Sequence, residues 1–179
     1  MSYKRERRKS VFENPRFTIY EDDVIFPDGK TKGTYNVLEF PGKSVVSLAY
    51  KKDDVLMVES YRYPTDSVEL ELPAGGIENG ETPAEAARRE TKEETGYDTS
   101  NHKVIYEAQT SNGITNHSFI VVVSQIEERV NGFNVNEVKK VNMMKVDEIR
   151  NLIEEKKIKD APTLVAFMLF SSHYSIAGN

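Results

Sequence analysis

The sequence predicts an α+β fold, because helical and strand-like patterns both occur along its 179 residues. The clearest helical segment is 83–95, and helical spacing also occurs in 147–157 and 163–170. Short runs rich in β-branched and aromatic residues surround these helices, at 44–50, 55–59, 68–72, 103–108, 118–124 and 138–146. The length fits one main domain with a small appendage.

The helix at 83–95 is predicted from local signals at both ends. Thr82 and Glu85 have the spacing of a capping box, and Pro83 falls at the first helical position, where a missing N–H costs nothing. Gly96 follows the last turn, where a left-handed residue is favoured. One face of this helix carries only small residues and can approach a sheet closely: Ala84, Ala87, Thr91 and Thr95.

The edge of the helix beside this face is acidic. Glu90 and Glu94 lie one turn apart and have no cationic partner within the helix, whereas Glu93 can pair with Arg89. A solvated acidic face is one interpretation. The other is a site for Mg²⁺ or Mn²⁺, because such ions prefer carboxylate oxygens and would turn the repulsion between the two acids into binding.

Seven residues with fixed spacing resemble a known motif. The order is glycine, five residues, Glu, seven residues, Arg-Glu, two residues, Glu-Glu, one residue and glycine, formed by Gly75, Glu81, Arg89, Glu90, Glu93, Glu94 and Gly96. This pattern resembles the Nudix box of the Nudix hydrolase superfamily. Thr91 departs from the usual aliphatic residue, and Tyr97 ends the box with an aromatic ring. The flanking VESYRYP, ELPAG and KIKDAPTLVAF segments resemble the branch of ADP-ribose and nucleoside-diphosphate-sugar pyrophosphatases.

The resemblance implies a Nudix-type α/β/α sandwich with a mixed sheet. It also implies a metal site formed by Glu90, Glu94 and the carbonyl of Ala74, which precedes Gly75. Glu93 is expected to add a ligand directly or through water. Glu137 is the expected base outside the box, and Arg62 the expected phosphate contact. Arg89 is expected to orient the carboxylates, with Glu81 bracing the loop.

The activity that this resemblance implies is Mg²⁺-dependent hydrolysis of a diphosphate, with Mn²⁺ as a possible substitute. The expected substrate is ADP-ribose or another nucleoside diphosphate sugar, and the products are a nucleoside monophosphate and a sugar phosphate. Two alternatives remain: a pyrophosphatase for dinucleoside polyphosphates, nucleoside triphosphates or capped RNA ends, and a nucleotide-sugar sensor without catalysis. The 110–117 loop differs from ADP-ribose-cleaving relatives, since Asn112 replaces a proline and His117 stands near an expected Glu. We expect a structural role for His117.

The N-terminal region is predicted to form a small sheet. Strand-like runs occur at 17–20, 24–26 and 34–40, and the acidic segment 21–23 is expected to separate the first two. Residues 1–42 are predicted as a β-strand subdomain and 43–179 as the main domain. The resemblance implies that this subdomain supports a homodimer. The basic segment MSYKRERRKS is expected to be a solvated tail rather than a nucleic-acid contact.

Composition narrows the function classes. The chain has no cysteine, which excludes thiolate metal sites and suits a reducing, cytoplasmic compartment. The formal net charge of −5 argues against a general nucleic-acid binder, because phosphate backbones are held mainly by Lys and Arg. No apolar run approaches the roughly 20 residues that span a bilayer, so no membrane association is expected.

Overall fold

The computed structural model describes residues 2–130 and 132–173. Two compact units are present. The first takes in the described residues up to Lys43 together with Ala108–Ser118, and the second has Ser44–Glu107 and the described residues from Phe119 onward. The strands are β1 (Lys4–Glu13), β2 (Thr18–Ile25), β3 (Lys32–Glu39), β4 (Ser44–Lys51), β5 (Asp54–Arg62), β6 (Ser67–Glu71), β7 (Ala74–Gly76), β8 (Tyr97–Gln109), β9 (Ser118–Arg129) and β10 (Val138–Lys145). The helices are α1 (Pro83–Thr95), α2 (Val146–Glu154) and α3 (Ala161–His173).

The first unit contains a three-stranded antiparallel sheet in the order β1-β2-β3. Two expectations about it are wrong. The basic N-terminal segment forms strand β1, and residues 21–23 lie within the single strand β2. Opposite charges across the strands explain both differences, because Arg7 pairs with Asp23 at 2.7 Å and Arg8 with Asp22 at 2.8 Å. The Arg8 hydrogen bond lowers the pKa of the buried Asp22 carboxyl.

The 110–117 loop belongs to this first unit. The Asn116 side chain accepts a hydrogen bond from the Phe40 amide at 2.8 Å and donates one to the Phe40 carbonyl at 3.1 Å. The His117 ring lies 4.6 Å from the Phe40 ring, centroid to centroid, and burial lowers its pKa. These contacts agree with the structural role expected for His117. Asn112 is exposed.

The second unit is built on a mixed sheet with the order β10-β5-β4-β9-β8, to which β6 is added on β5 and β7 on β4. Strands β4 and β9 are parallel, whereas β4 pairs antiparallel with β5 and β7. The sheet core is continuous and apolar because β4 and β9 are buried over most of their length.

Helices cover both faces of this sheet. Val45 on β4 packs with Ala86 and Ala87 of α1. Tyr50 points to the opposite face, since successive strand residues alternate, and its ring lies 5.1 Å from that of Phe170 on α3. This arrangement is the predicted α/β/α sandwich. Within the described part of the chain, no helix is long and apolar enough to cross a membrane.

Helix α1 has the predicted bounds, Pro83–Thr95, and its ends show the predicted capping. Thr82 accepts a hydrogen bond from the Glu85 amide at 3.3 Å, while the Glu85 carboxylate accepts one from the Thr82 amide at 2.8 Å. Gly96 has a φ of 77°, which a side chain would strain. The buried face differs from the prediction at three positions, because Ala86 and Glu94 are buried and Ala84 is only half-buried.

Candidate active site

The three glutamates at the C-terminal half of α1 lie in different environments. Glu94 is buried, with 9% of its surface exposed, and the Glu90 side chain is 12% exposed. Glu93 points outward, with 55% of its side chain exposed. Glu90 and Glu94 share a face because they are one helical turn apart. The structure therefore separates a buried acid pair from one solvated acid.

Strand β7 lies directly against this acid pair. The Ala74 amide donates a hydrogen bond to the Glu94 carboxylate. A Cβ atom added to Gly75 would lie 2.0 Å from Oε1 of Glu90, so only glycine lets that carboxylate rest against the strand. The segment is held in register by the Ser47 amide, which donates to the Pro73 carbonyl at 2.8 Å. The structure thus brings together Ala74, Gly75, Glu90 and Glu94.

Arg89 connects the acid pair to the loop before the helix. Its guanidinium donates to Glu81 Oε1 at 2.8 Å, to Glu90 Oε1 at 2.7 Å and to the Gly76 carbonyl at 2.8 Å. It also donates to Glu93 at 3.3 Å. The expectation that Glu90 has no partner within the helix is wrong, because the adjacent arginine side chain folds back over it. The Arg89 hydrogen bond also lowers the pKa of Glu81 to about 2.

Burial and repulsion raise the pKa of both paired acids. Burial raises the pKa of Glu94 to about 8, and the negative charge of Glu90 adds to the effect. Burial also raises the pKa of Glu90, although the Arg89 hydrogen bond opposes it. Two buried acids that resist ionising together form a place where a cation is favourable.

The donor set fits a hard divalent cation. Glu90 and Glu94 offer carboxylate oxygens, and the backbone of Ala74 lies beside them, which is the oxygen-only chemistry that Mg²⁺ and Mn²⁺ prefer. Among the described residues, no group of three or more His, Cys, Asp or Glu side chains is arranged to hold a metal ion. A cation bound by Glu90 and Glu94 would need further ligands.

The raised pKa of Glu94 predicts a stability that depends on pH in the metal-free protein. Its folded pKa of about 8 lies above the unfolded value of about 4.3, so stability is lost as pH rises between these values. We expect Glu94→Gln in EDTA to raise the free energy of unfolding by a few kcal/mol at pH 8 and to change it little below pH 4. Chemical denaturation across this pH range measures the difference in the free energy of unfolding between Glu94→Gln and the wild type. A difference that stays constant with pH would contradict the effect of burial on Glu94.

The loop between β9 and β10 approaches the acid pair. The Asn134 amide donates to the Glu93 carbonyl at 3.0 Å, and the Val130 amide donates to the Gly96 carbonyl at 2.8 Å. Glu137 is exposed, and its charge raises the pKa of both Glu90 and Glu94. One residue of this loop, Asn131, lies outside the described residues.

Arg62 lies near the acid pair but is engaged elsewhere. Its Nε donates to both carboxylate oxygens of Glu71, at 2.9 and 3.0 Å, and its Nη2 also contacts that carboxylate. Its charge opposes the rise in the pKa of Glu94. Sequence reasoning missed Glu71 as the partner of Arg62. No local signal indicated this partner, because the register of β5 and β6 pairs Arg62 with Ser67 and Val58 with Glu71.

The departure at Thr91 has a local explanation. Thr91 and Ser47 are fully buried, and the Thr91 hydroxyl donates to Ser47 Oγ at 2.7 Å. A hydroxyl on the helix is satisfied because the facing strand also carries one. Tyr97 is half-buried and packs against the cluster of Ala49, Leu56 and Ile126.

Comparison with known proteins decides the family. The model of the NUDIX domain matches residues 41–167. The chain belongs to the Nudix family. The predicted superfamily and enzyme class are therefore confirmed, and the chain is a Nudix hydrolase.

Individual relatives agree with this placement. The chain is 30% identical over 163 residues to a methanol dehydrogenase activator of Bacillus methanolicus, covering 89% of this chain and 88% of that protein. It is 28% identical over 162 residues to the ADP-ribose pyrophosphatase of Bacillus subtilis, covering 89% and 87%. A crystal structure of an ADP compounds hydrolase superposes with a TM-score of 0.89 at 20% identity, over 99% of this chain and 97% of that one. This similarity confirms the Nudix fold.

Proposed function

We propose that this Nudix hydrolase cleaves the pyrophosphate bond of ADP-ribose or another nucleoside diphosphate sugar. The products are a nucleoside monophosphate and a sugar phosphate. The observation that carries the proposal is the buried pair Glu90 and Glu94 beside Ala74 and Gly75, where burial raises the pKa of both acids. The relatives named as ADP-ribose pyrophosphatases support the substrate class.

Each residue has a proposed role. Glu90, Glu94 and the Ala74 carbonyl would hold Mg²⁺, with Mn²⁺ as a substitute, and Glu93 would add a ligand directly or through water. The metal would supply charge neutralisation and a nucleophile at neutral pH. Arg89 fixes the orientation of Glu90 through a 2.7 Å hydrogen bond. It also ties Glu81, and with it the loop before the helix, to α1 at 2.8 Å.

Two residues outside the box have proposed contacts with the reacting groups. Arg62 suits phosphate oxygens because its planar fork donates in pairs, as it now does to Glu71. Binding of substrate would require the guanidinium to share or exchange that carboxylate. Glu137 accepts a proton from the attacking water, since its loop is held against the C-terminal half of α1 by the Asn134–Glu93 hydrogen bond.

A substrate panel tests the activity. ADP-ribose, other nucleoside diphosphate sugars, dinucleoside polyphosphates and nucleoside triphosphates are incubated with Mg²⁺ or Mn²⁺, and the released monophosphate is measured. We expect the diphosphate sugars to give the highest kcat/KM. Preference for polyphosphates or triphosphates would favour the other pyrophosphatase class. Tight binding of a diphosphate sugar without any product would indicate a sensor.

Glu137→Gln is expected to lower kcat by about tenfold to 10²-fold, because general-base catalysis contributes on this scale and water can partly replace an exposed carboxylate. The acidic limb of the pH–rate profile should change with it, since the proposed base is removed. The matched control is Glu154→Gln, an exposed glutamate on α2. A profile identical to the wild type would assign the base to another residue.

We also propose a homodimer formed through the first unit. Large apolar side chains of this unit are exposed, among them Tyr3, Val11, Phe12 and Tyr35. The Tyr3 and Tyr35 ring centroids lie 6.0 Å apart, and exposed apolar patches are typical of interaction surfaces. Light scattering coupled to size exclusion measures the mass, and Val11→Glu with Phe12→Glu should shift it toward the monomer mass. A monomeric wild type would contradict this proposal.

A second candidate function comes from the relative in Bacillus methanolicus, which is named as an activator of methanol dehydrogenase and covers nearly the whole chain. Measuring the rate of a methanol dehydrogenase with and without this protein tests it. Stimulation by the wild type but not by Glu94→Gln would show that activation needs the same acid pair. Absence of stimulation would leave hydrolysis as the function.

A further inference from the structure

A cavity of about 300 Å³ lies in the second unit, beside the C-terminal end of α1. Its volume is at the lower end of the range for small-molecule sites, roughly 300–1,000 Å³. It is lined by Leu56, Tyr97, Arg129, Phe133, Lys139, Lys140, Val141 and Met143. None of these residues belongs to the acid pair or to the other proposed metal ligands. The cavity is therefore separate from the proposed active site.

The charges around this cavity have one sign. Among the described residues, the lining contains three cations and no carboxylate, although the whole chain is acidic. Lys140 pairs with Glu59 at 3.4 Å, and the Lys139 ammonium lies 5.4 Å from the centroid of the Tyr61 ring. No carboxylate of the described residues forms an ion pair with Arg129 or Lys139. Such a concentration of positive charge favours an anionic ligand, and the planar guanidinium suits a phosphate group.

The cavity also offers flat and apolar surfaces. The guanidinium of Arg129 lies over the Tyr97 ring at 5.7 Å from its centroid, and Phe133 supplies a second half-buried ring. Leu56 and Val141 contribute apolar surface to the same wall. A nucleobase stacks on aromatic rings and on arginine planes, whereas a simple anion gains nothing from them.

From this combination we propose that the cavity is a second nucleotide site that binds a nucleoside monophosphate. The phosphate lies against Arg129 and Lys139, and the base lies against Tyr97 and Phe133. The phosphate and the base of such a ligand contact different walls of the cavity. Inorganic phosphate alone, or a nucleoside alone, would therefore make only part of these contacts.

Binding there would act on the loop that carries Glu137. Phe133 lies in the β9–β10 loop, and the next residue, Asn134, donates its amide to the Glu93 carbonyl at 3.0 Å. Asn134 also accepts from the Glu137 amide at 3.2 Å. A nucleotide held by Phe133 therefore restrains this loop. The link to catalysis depends on the proposed role of Glu137, whereas the binding does not.

Titration calorimetry with AMP in EDTA tests the binding, because metal removal disables the proposed active site. We expect one AMP per chain, and Arg129→Ala with Lys139→Ala should raise Kd by at least about tenfold, since charged hydrogen bonds are lost. Lys103→Ala with Lys159→Ala is the matched control, which removes two exposed lysines away from the cavity and should leave Kd unchanged. Adenosine and inorganic phosphate should each bind much more weakly than AMP.

Two further measurements make the result independent of the double variant. Met143→Glu places a carboxylate at the exposed edge of the cavity and should also weaken AMP binding. Hydrogen exchange should slow at residues 132–138 when AMP is added in EDTA. Absence of AMP binding at millimolar concentration, equal Kd for the wild type and both cavity variants, or equal losses in the control variant would overturn the proposal.

Discussion

Replacing Glu94 by glutamine is expected to lower kcat by about 10³-fold or more, because a metal ion in such a site contributes several kcal/mol of transition-state stabilisation. Glutamine keeps the shape of the side chain and removes the charge. The fold should remain intact, because glutamine can occupy the same buried position against Ala74. Steady-state kinetics with saturating Mg²⁺ and the best diphosphate of the panel measure the effect.

The control for this experiment is Glu128→Gln, which removes the same charge at an exposed position on β9. Its kcat should stay within about twofold of the wild type, as expected for a surface change away from the site. Circular dichroism and the melting temperature confirm folding of both variants. Turnover by Glu94→Gln near the wild-type level would remove Glu94 from the metal site and with it the proposed mechanism.

Gly75→Ala is expected to lower kcat/KM by at least about 10²-fold while leaving the protein folded, since misplacing a catalytic group by about 1 Å can cost this much. Its new Cβ would lie 2.0 Å from Oε1 and 2.1 Å from Cδ of Glu90. The carboxylate is the end of a flexible side chain, so it moves away at small cost in stability. The position of Glu90 relative to Glu94 is then lost.

The neighbouring glycine provides the control for this substitution. A Cβ added to Gly76 meets no atom within 4 Å, although both glycines lie in the same short strand. Gly76→Ala should therefore retain most of the activity, and the ratio of the two variants isolates the contact with Glu90. Similar losses in both variants would indicate that a Cβ at either glycine of β7 disturbs the site, which would contradict the specific role of Gly75.

The parts of the fold that were predictable depend on local chemistry. Helix α1 begins and ends at the predicted residues because Thr82, Pro83 and Gly96 each act within one turn of the chain. The acid pair could also be predicted from the sequence, because the spacing of Glu90 and Glu94 places them on the same face of the helix. Both inferences needed only neighbouring residues.

The missed features depend on partners that are distant in sequence. Strand β1 has no alternation of apolar and polar residues, and it pairs because its arginines face Asp22 and Asp23 on β2. The Arg62–Glu71 pair and the Thr91–Ser47 hydrogen bond likewise need the strand register or the packing of α1 on the sheet. Opposite charges or matched hydroxyls in two segments give no signal until the pairing of those segments is known.

The hydrogen bonds of Arg89 restrict movement around the acid pair. One planar cation joins the loop at Gly76 and Glu81 to the helix, so these parts move as one body. The β9–β10 loop, in contrast, is joined to the end of α1 by main-chain hydrogen bonds from Val130 and Asn134. We expect Glu90 and Glu94 to keep their positions when a substrate binds, because Arg89 already ties the surrounding loop to the helix.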